Sequence, residues 1–232
     1  MSAFKKARFY VMKRPKLDAQ RTETLLKTKY LCVTDLKYEG LEHYYNVSRR
    51  APESIVALKS DEEFKAMLPD AVTCIVIVRV RGGEPKLLMT REFRYPCGQF
   101  LLSPPAGLMD PSDKDAPVPQ IATARREIRA ETGLCLKDTD RLFVVSPLAF
   151  SSPGLTDEGN ALVCAVADIE SEDVFNSRGE ESTEVIGDYR LYDRAEALRL
   201  LKQGRDDEGI FYSVYTWMAL LYFVSGLWEA EL

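Results

Sequence analysis

The chain has a single histidine, His43, and this scarcity excludes several kinds of catalytic site. A Ser-His or Cys-His nucleophile system would have to use His43 itself, and metal centres built from several histidines are ruled out. His43 lies in a segment that reads as a partly exposed strand, where we expect a structural role. Carboxylates are therefore the side chains left for acid–base or metal chemistry.

Paired cysteines, dense basic segments and a leader sequence are also missing. The five cysteines are odd in number, widely spread and without a C-x-x-C motif, which indicates reduced thiols in a cytoplasmic protein. Cys74 and Cys164 lie inside apolar runs and are predicted core residues. The formal net charge is −5, so we expect no nucleic-acid partner. The charged N-terminal segment has no apolar stretch long enough for a signal peptide.

One long segment, Ile210–Trp228, carries no charged residue and approaches the length of a membrane span. It also contains serine, threonine and glycine, and acidic residues flank it on both sides without a basic end. These features favour a buried C-terminal helix and no membrane partner. A membrane-associated protein that uses this segment stays open as a further functional hypothesis.

The first part of the chain, residues 1–68, is predicted to be a β-rich antiparallel arm. Alternating residues predict strands at Tyr30–Tyr38 and Tyr44–Ser48, joined by a turn at Glu39-Gly40. Ser54–Leu58 is a further candidate strand. Asp61–Leu68 is predicted to be a short helix with Ser60 as its N-cap.

The second part, residues 69–232, mixes strands and helices without regular βαβ alternation, which indicates an α+β sandwich around a mixed sheet. Ala71–Val80 is β-branched and nearly continuous, as expected of a central strand buried on both faces. The predicted further strands are Lys86–Arg91, Leu142–Leu148, Leu162–Ala167 and Asp188–Tyr192, and the predicted helices are Ile121–Thr132, Arg194–Gln203 and Ile210–Leu227.

The helix at Ile121–Thr132 carries the most informative pattern. Glu127 and Glu131 are four residues apart, so they share one helix face with Cβ atoms roughly 5–6 Å apart. Two such carboxylates repel unless a cation lies between them, and Mg²⁺ accepts oxygen ligands while keeping positions for water and phosphate. Gly133 is the left-handed residue that commonly ends a helix. Taken alone, the segment also fits a solvated face with Arg–Glu pairs.

Together with its surroundings, this segment resembles the Nudix hydrolases, whose box reads G-x5-E-x7-R-E-U-x-E-E-x-G-U, with U aliphatic. Gly107 resembles the start of the box and Arg126–Leu134 its end. The segments TREFRYP, PPAGLMD and SSPGLTDE resemble the ADP-ribose and nucleotide-sugar pyrophosphatase branch. The resemblance implies a Nudix-type α/β/α sandwich at residues 69–232, the hydrolase domain. It also implies a homodimer in which the arm at residues 1–68 serves dimerisation and lies on the substrate side, and cleavage of a nucleoside diphosphate sugar with Mg²⁺ or Mn²⁺. It leaves ADP-ribose, UDP-glucose and GDP-mannose open as substrates.

The resemblance also implies roles for individual residues. Glu127 and Glu131 would bind the metal with the main-chain carbonyl of Ala106, and Arg126 would orient the carboxylates. Arg94 would face the substrate phosphates, whereas Tyr30 and Arg49 would hold the base. A catalytic base would come from the acidic loop, with Glu181 the first choice, Glu184 the second, and Glu180 a further candidate.

The chain departs from the box in three places. Ala130 stands where the box has the first glutamate of its Glu-Glu pair, and Ser103 stands where branch members often have glutamate. The stretch from Gly107 to Arg126 is five residues longer than the pattern and contains no glutamate. An active pyrophosphatase, with fewer metals or a reduced rate, is the favoured hypothesis. The alternative is a catalytically weak or silent nucleotide-sugar binder that acts as a sensor or regulatory subunit.

Overall fold

The computed structural model describes residues 13–175 and 185–231, which divide into two compact units. The first unit comprises the described residues up to Ala66 together with Ser152–Asp157, and the second comprises the remainder. The assignment of separate functions to residues 1–68 and 69–232 stays a prediction.

The first unit is a three-stranded antiparallel sheet in the order β1-β2-β3 followed by a short helix. Its elements are β1 (Glu23–Lys27), β2 (Cys32–Tyr38), β3 (Leu41–Ser48) and α1 (Asp61–Ala66). A small core forms around Cys32, Leu36 and Ile55. Ser60 caps α1 as predicted, because its hydroxyl accepts from the Glu63 amide while the Glu63 carboxylate accepts from the Ser60 amide.

In this unit one expected strand is absent and one strand was not predicted. Ser54–Leu58 is not a strand: Pro52–Ser54 and Val56–Leu58 form two 3₁₀ turns, and of this apolar run only Ile55 is buried. A single buried side chain needs no alternating strand, and Pro52 favours a turn. β1 was missed because all five of its residues are exposed, so it has no buried face to create a period of two.

The second unit is a sandwich around a mixed sheet, which confirms the predicted α+β architecture. The path of the sheet is β10-β5-β4-β9-β8, with β6 paired to β5 and β7 paired to β4. The β4–β9 pair is parallel, whereas the other pairs are antiparallel. Its strands are β4 (Ala71–Val80), β5 (Pro85–Arg94), β6 (Gln99–Ser103), β7 (Ala106–Leu108), β8 (Arg141–Phe150), β9 (Gly159–Ile169) and β10 (Ile186–Tyr192).

Three helices cover the two faces of this sheet: α2 (Pro119–Thr132), α3 (Arg194–Gln203) and α4 (Val214–Ser225). Alternate residues of β4 divide between two cores, as expected for a strand buried on both faces. Val76 and the β4 residues on the same face pack in one core with Ala124 and Ile128 of α2. Ile75 and Ile77, on the opposite face, pack in the other core with residues of α3 and α4.

The C-terminal helix is shorter than the sequence suggested. It begins after Ser213, whose hydroxyl accepts from the Thr216 amide, and it ends at Gly226 in the left-handed conformation. Within the part of the chain that the structure describes, no helix has both the length and the apolarity needed to cross a membrane. Cys74 and Cys164 are fully buried core residues, as predicted, and all five cysteines are free thiols.

Candidate active site

The two candidate metal ligands lie on the buried face of α2. This helix begins at Pro119, whose missing amide hydrogen costs nothing at a first position, and it ends where Gly133 adopts a φ of 76°. Glu127 and Glu131 are both buried, one helical turn apart. Because ionised carboxylates are almost never buried without partners, this pair needs positive charge or hydrogen-bond donors.

The strand β7 lies against these carboxylates. The Ala106 amide donates to Glu131 Oε1 at 3.0 Å, which fixes the position of that side chain. A Cβ added to Gly107 would lie 2.1 Å from Glu127 Cδ, so no other residue fits there without displacing the carboxylate. Ala106 and Gly107 pair with Thr73 and Val72 of β4, and the sheet therefore holds the turn against α2.

Arg126 joins three oxygen acceptors around the site. Its guanidinium donates to Glu127 Oε1 at 2.6 Å, to Asp113 Oδ2 at 2.8 Å and to the Leu108 carbonyl at 2.8 Å. Burial alone would lower the pKa of Arg126, but the carboxylates of Asp113 and Glu127 outweigh this effect and raise it. The guanidinium is therefore a permanent charge that orients one of the two candidate metal ligands.

Asp113 is a site residue that sequence reasoning missed. Its buried carboxylate accepts from Arg126, from the Thr123 hydroxyl at 3.1 Å and from the Asp110 amide at 3.0 Å. Burial by itself would raise the pKa of Asp113, but these hydrogen bonds lower it below its usual value. The overlooked signal was the position of Asp113 six residues after Gly107, where the box has its glutamate. The five extra residues of this chain lie between Asp113 and Arg126.

Cys74 lies in the core close to the two glutamates. Burial first, and then the charges of Glu131 and Glu127, raise the pKa of this thiol well above its usual value. The sulfur therefore stays protonated, which is consistent with a packing role rather than a ligand role.

Ala130 is exposed, in contrast to the buried glutamates on either side of it along the helix. A residue three positions after Glu127 lies about 60° from it around the helix axis, at the exposed edge of the face that Glu127 and Glu131 share. Ala130 therefore takes no atom from the buried pair, but it leaves this exposed edge without the carboxylate that the box has there.

The remaining predicted site residues belong to β5, to the first unit, or to the part of the chain outside the described residues. Arg94 ends β5 and forms an ion pair with Glu92 at 2.5 Å. Tyr30 and Arg49 belong to the first unit, where both are exposed, and Tyr30 is covered by the ammonium of Lys29. The candidate bases Glu181, Glu184 and Glu180 fall outside the described residues.

A family model for the NUDIX domain matches residues 67–214, which is more than half of the chain. The chain belongs to the Nudix family. The resemblance identified from the sequence motifs is thereby confirmed, and the matched region contains Gly107, Asp113, Arg126 and both buried glutamates.

Two curated relatives illustrate the similarity. Nudix hydrolase 14, chloroplastic, from Arabidopsis thaliana is 29% identical over 115 residues, covering 47% of this chain and 36% of that protein. The ADP-ribose pyrophosphatase of Saccharomyces cerevisiae is 29% identical over 102 residues, covering 43% of this chain and 40% of that protein. The chain thus matches less than half the length of these relatives.

A solved structure shares the fold at low sequence identity. The crystal structure of an ADP compounds hydrolase superposes with a TM-score of 0.58 over 96% of this chain and 98% of that chain, at 16% identity. At this level of identity the likeness concerns the fold alone.

Proposed function

We propose that this Nudix protein hydrolyses the pyrophosphate bond of ADP-ribose or a related nucleoside diphosphate sugar, giving a nucleoside monophosphate and a sugar phosphate. The observation that carries the proposal is the buried pair Glu127 and Glu131 facing the Gly107 turn. The yeast relative named ADP-ribose pyrophosphatase and the similar motifs at residues 90–96 and 104–110 support this substrate class.

The donor atoms at this turn fit a hard divalent cation. No cluster of three or more histidine, cysteine or acidic side chains with metal-binding geometry occurs among residues 13–175 and 185–231. Two carboxylates suffice for Mg²⁺, which keeps waters and takes substrate phosphate oxygens for its other positions. Glu127, Glu131 and the Ala106 carbonyl would hold Mg²⁺ or Mn²⁺. When bound, the ion neutralises phosphate charge and makes bound water more acidic.

The protein's own residues then position the reactants. Arg126 holds Glu127 in place through its 2.6 Å hydrogen bond, and Asp113 holds Arg126. Arg94 would bind the phosphates, since a guanidinium matches anionic oxygens in a bidentate manner. In-line attack on phosphorus depends mainly on such positioning and charge stabilisation. Glu181 remains the first candidate for the base that accepts the proton of the attacking water, and Glu184 the second.

Tyr30 and Arg49 remain candidates for holding the nucleotide base by stacking and cation–π contact. Both side chains are exposed in the first unit. β1 of the same unit exposes Leu25 and Leu26, and β3 exposes Tyr44 and Tyr45. Exposed apolar strands favour association, and this supports the proposed homodimer.

The silent-binder alternative is less favoured. Its motivation was Ala130 together with the missing box glutamate. Ala130 is exposed at the edge of the acidic face while Glu127 and Glu131 stay buried, and Asp113 pairs with Arg126 at the spacing of the missing glutamate. Both departures therefore leave the arrangement of Glu127 and Glu131 in place.

The experiment is a phosphatase-coupled assay of ADP-ribose hydrolysis with Mg²⁺, comparing Glu131→Gln with the exposed control Glu84→Gln. We expect the first variant to lose at least about 100-fold in kcat/KM, as when a positioned charge is removed from a transition state, and the second to match the parent. Equal rates for Glu131→Gln and the parent would contradict the proposal. Tight ADP-ribose binding by calorimetry without turnover in Mg²⁺ or Mn²⁺ would favour the silent binder instead. UDP-glucose and GDP-mannose in the same assay would define the substrate.

A further inference from the structure

The outer face of α2 carries a second pair of like charges. Arg125 and Arg129 are four residues apart, so their side chains are neighbours on one face. At 100° per residue this face lies about 200° around the helix axis from the one that carries Glu127 and Glu131. The same helix thus has an acidic pair inside and a basic pair outside.

This outer face forms the wall of a surface depression of about 580 Å³. Its lining includes Ala122, Arg125, Arg126, Arg129, Ala130 and Cys135. Ala130 contributes space because its side chain is a single methyl group at a position where the box has glutamate. A glutamate there would also have placed a negative charge in the lining of the depression.

The charges around the depression are separated in space. The carboxylates of Asp110, Asp113 and Glu127 all form ion pairs with Arg126. Arg125 donates to the Leu136 carbonyl at 2.9 Å, but within the described residues neither Arg125 nor Arg129 forms an ion pair. Among the described residues, Arg125 and Arg129 therefore lack the carboxylate partners that Arg126 has.

Arginines near the end of a helix have an ordinary explanation, because they interact favourably with its negative C-terminal dipole. That dipole amounts to about half an elementary charge, which is a quarter of the charge of two guanidinium groups. Each guanidinium has five N–H donors, and the bond to Leu136 uses one of those of Arg125. Like charges at this spacing also repel each other, so an anion between them would relieve the repulsion.

We propose that this depression binds a phosphate dianion, either inorganic phosphate or the phosphomonoester of a nucleotide. The planar donor fork of arginine matches phosphate oxygens in a bidentate manner, and two forks from adjacent turns can share one phosphate group. The site is distinct from the face that carries Glu127 and Glu131, and it does not depend on the hydrolytic function proposed above.

The two exposed cysteines make the test specific. Cys135 lines the depression, whereas Cys97 is also exposed but lies in the short turn after β5 and serves as an internal control. Both thiols are alkylated in EDTA with anionic iodoacetate or neutral iodoacetamide, and the rates are measured by peptide mass spectrometry. At each cysteine, the ratio of the iodoacetate rate to the iodoacetamide rate does not depend on the intrinsic reactivity of that thiol.

We expect the iodoacetate-to-iodoacetamide ratio to be about threefold higher at Cys135 than at Cys97, as an unscreened unit charge a few ångströms away in water would produce. Arg129→Ala should bring the two ratios together, whereas Arg129→Lys should keep most of the difference. Lys202→Ala is the matched control, since Lys202 is the basic residue in the last turn of α3. Equal ratios at the two cysteines in the parent protein would overturn the proposal.

Phosphate is then added, with sodium chloride at matched ionic strength as the reference. Millimolar inorganic phosphate should slow iodoacetate at Cys135 at least about twofold, as expected when half the sites are occupied, and leave Cys97 unchanged. Protection by AMP at much lower concentration identifies a nucleotide as the source, whereas equal potency identifies free phosphate. No protection beyond that of chloride, or equal protection by uncharged adenosine, would refute a phosphate site. Because EDTA prevents metal-dependent turnover, the result is independent of whether the chain hydrolyses ADP-ribose.

Discussion

Replacing Gly107 by alanine perturbs the candidate active site at its tightest contact. The added Cβ would lie 2.1 Å from Glu127 Cδ, whereas carbon atoms pack at about 3.5–4.0 Å. The two groups must therefore separate by roughly 1.5 Å. Glu127 cannot swing freely, because Arg126 holds its Oε1 at 2.6 Å and Asp113 holds Arg126 in turn.

The size of the effect follows from this geometry. Overpacking of this kind lowers the free energy of unfolding by about 1–3 kcal/mol. A displacement of 1 Å or more at a positioned catalytic group costs about 100-fold in rate. We therefore expect Gly107→Ala to lose about two orders of magnitude in kcat/KM with ADP-ribose and Mg²⁺ and to need more Mg²⁺ for half-maximal activity.

A second substitution separates crowding from a general loss of structure. Glu127→Asp shortens the side chain by one methylene, about 1.5 Å, and should restore stability to Gly107→Ala without restoring activity. Urea unfolding of the parent, both single variants and the double variant gives the interaction energy between the two sites. Gly187→Ala is the control, because a Cβ at Gly187 would meet its nearest neighbour at an ordinary 3.5 Å. Parent-like activity and metal dependence in Gly107→Ala would refute the proposed site, and additive stability losses would refute the clash.

Three further predictions concern other parts of the chain. Asp113→Asn should lower the free energy of unfolding at pH 7 by about 1–3 kcal/mol, the cost of a weakened buried hydrogen-bond network. The pKa of Asp113 is lowered in the folded state, so the ionised carboxylate adds to the free energy of unfolding above about pH 4, and this stabilisation is lost on further acidification. The free energies of unfolding of parent and variant, measured by chemical denaturation, should therefore converge as the pH falls below about 4. A difference that stays constant with pH would contradict this account. Asp206 is fully buried and accepts hydrogen bonds from Arg91 and from the Glu208 and Ile210 amides. Asp206→Ala should therefore lower the free energy of unfolding by about 3–5 kcal/mol, measured by thermal or urea unfolding. A loss under about 1 kcal/mol would show that these hydrogen bonds are dispensable. Light scattering should give about twice the chain mass of 26.3 kDa, with Tyr45→Lys shifting the protein towards a monomer; a parent protein that is already monomeric would refute the proposed homodimer.

Segments with strong periodicity were predictable. β4 was recognised from its continuous β-branched run, and α3 was predicted at Arg194–Gln203 with the bounds that the structure shows. The end of α2 at Gly133 followed from the left-handed preference of glycine. These features depend on local conformational preferences and on burial of a whole face, both of which leave a pattern in the sequence.

Segments without a buried face were harder to predict. β1 exposes every residue and was missed, whereas Ser54–Leu58 was interpreted as a strand although only Ile55 is buried in that run. The start of α4 was placed too early because the apolar pattern continues through Ile210–Tyr212, upstream of the Ser213 cap. In each of these segments, a tertiary contact or a helix cap determined the structure, and neither leaves a periodic pattern in the sequence.

The sequence by itself determined that Glu127 and Glu131 share a helix face and that the chain resembles the Nudix family, because helical spacing and box residues are local properties of the chain. Only the tertiary structure decided that Gly107 packs against the Glu127 carboxylate and that Asp113 pairs with Arg126. These contacts join residues 13–20 positions apart along the chain through a sheet register and a 3₁₀ turn, so local spacing alone does not fix their distances. The same holds for the two arginines on the outer face of α2: their spacing is local, but their lack of a carboxylate partner within the described residues emerges only in the folded chain.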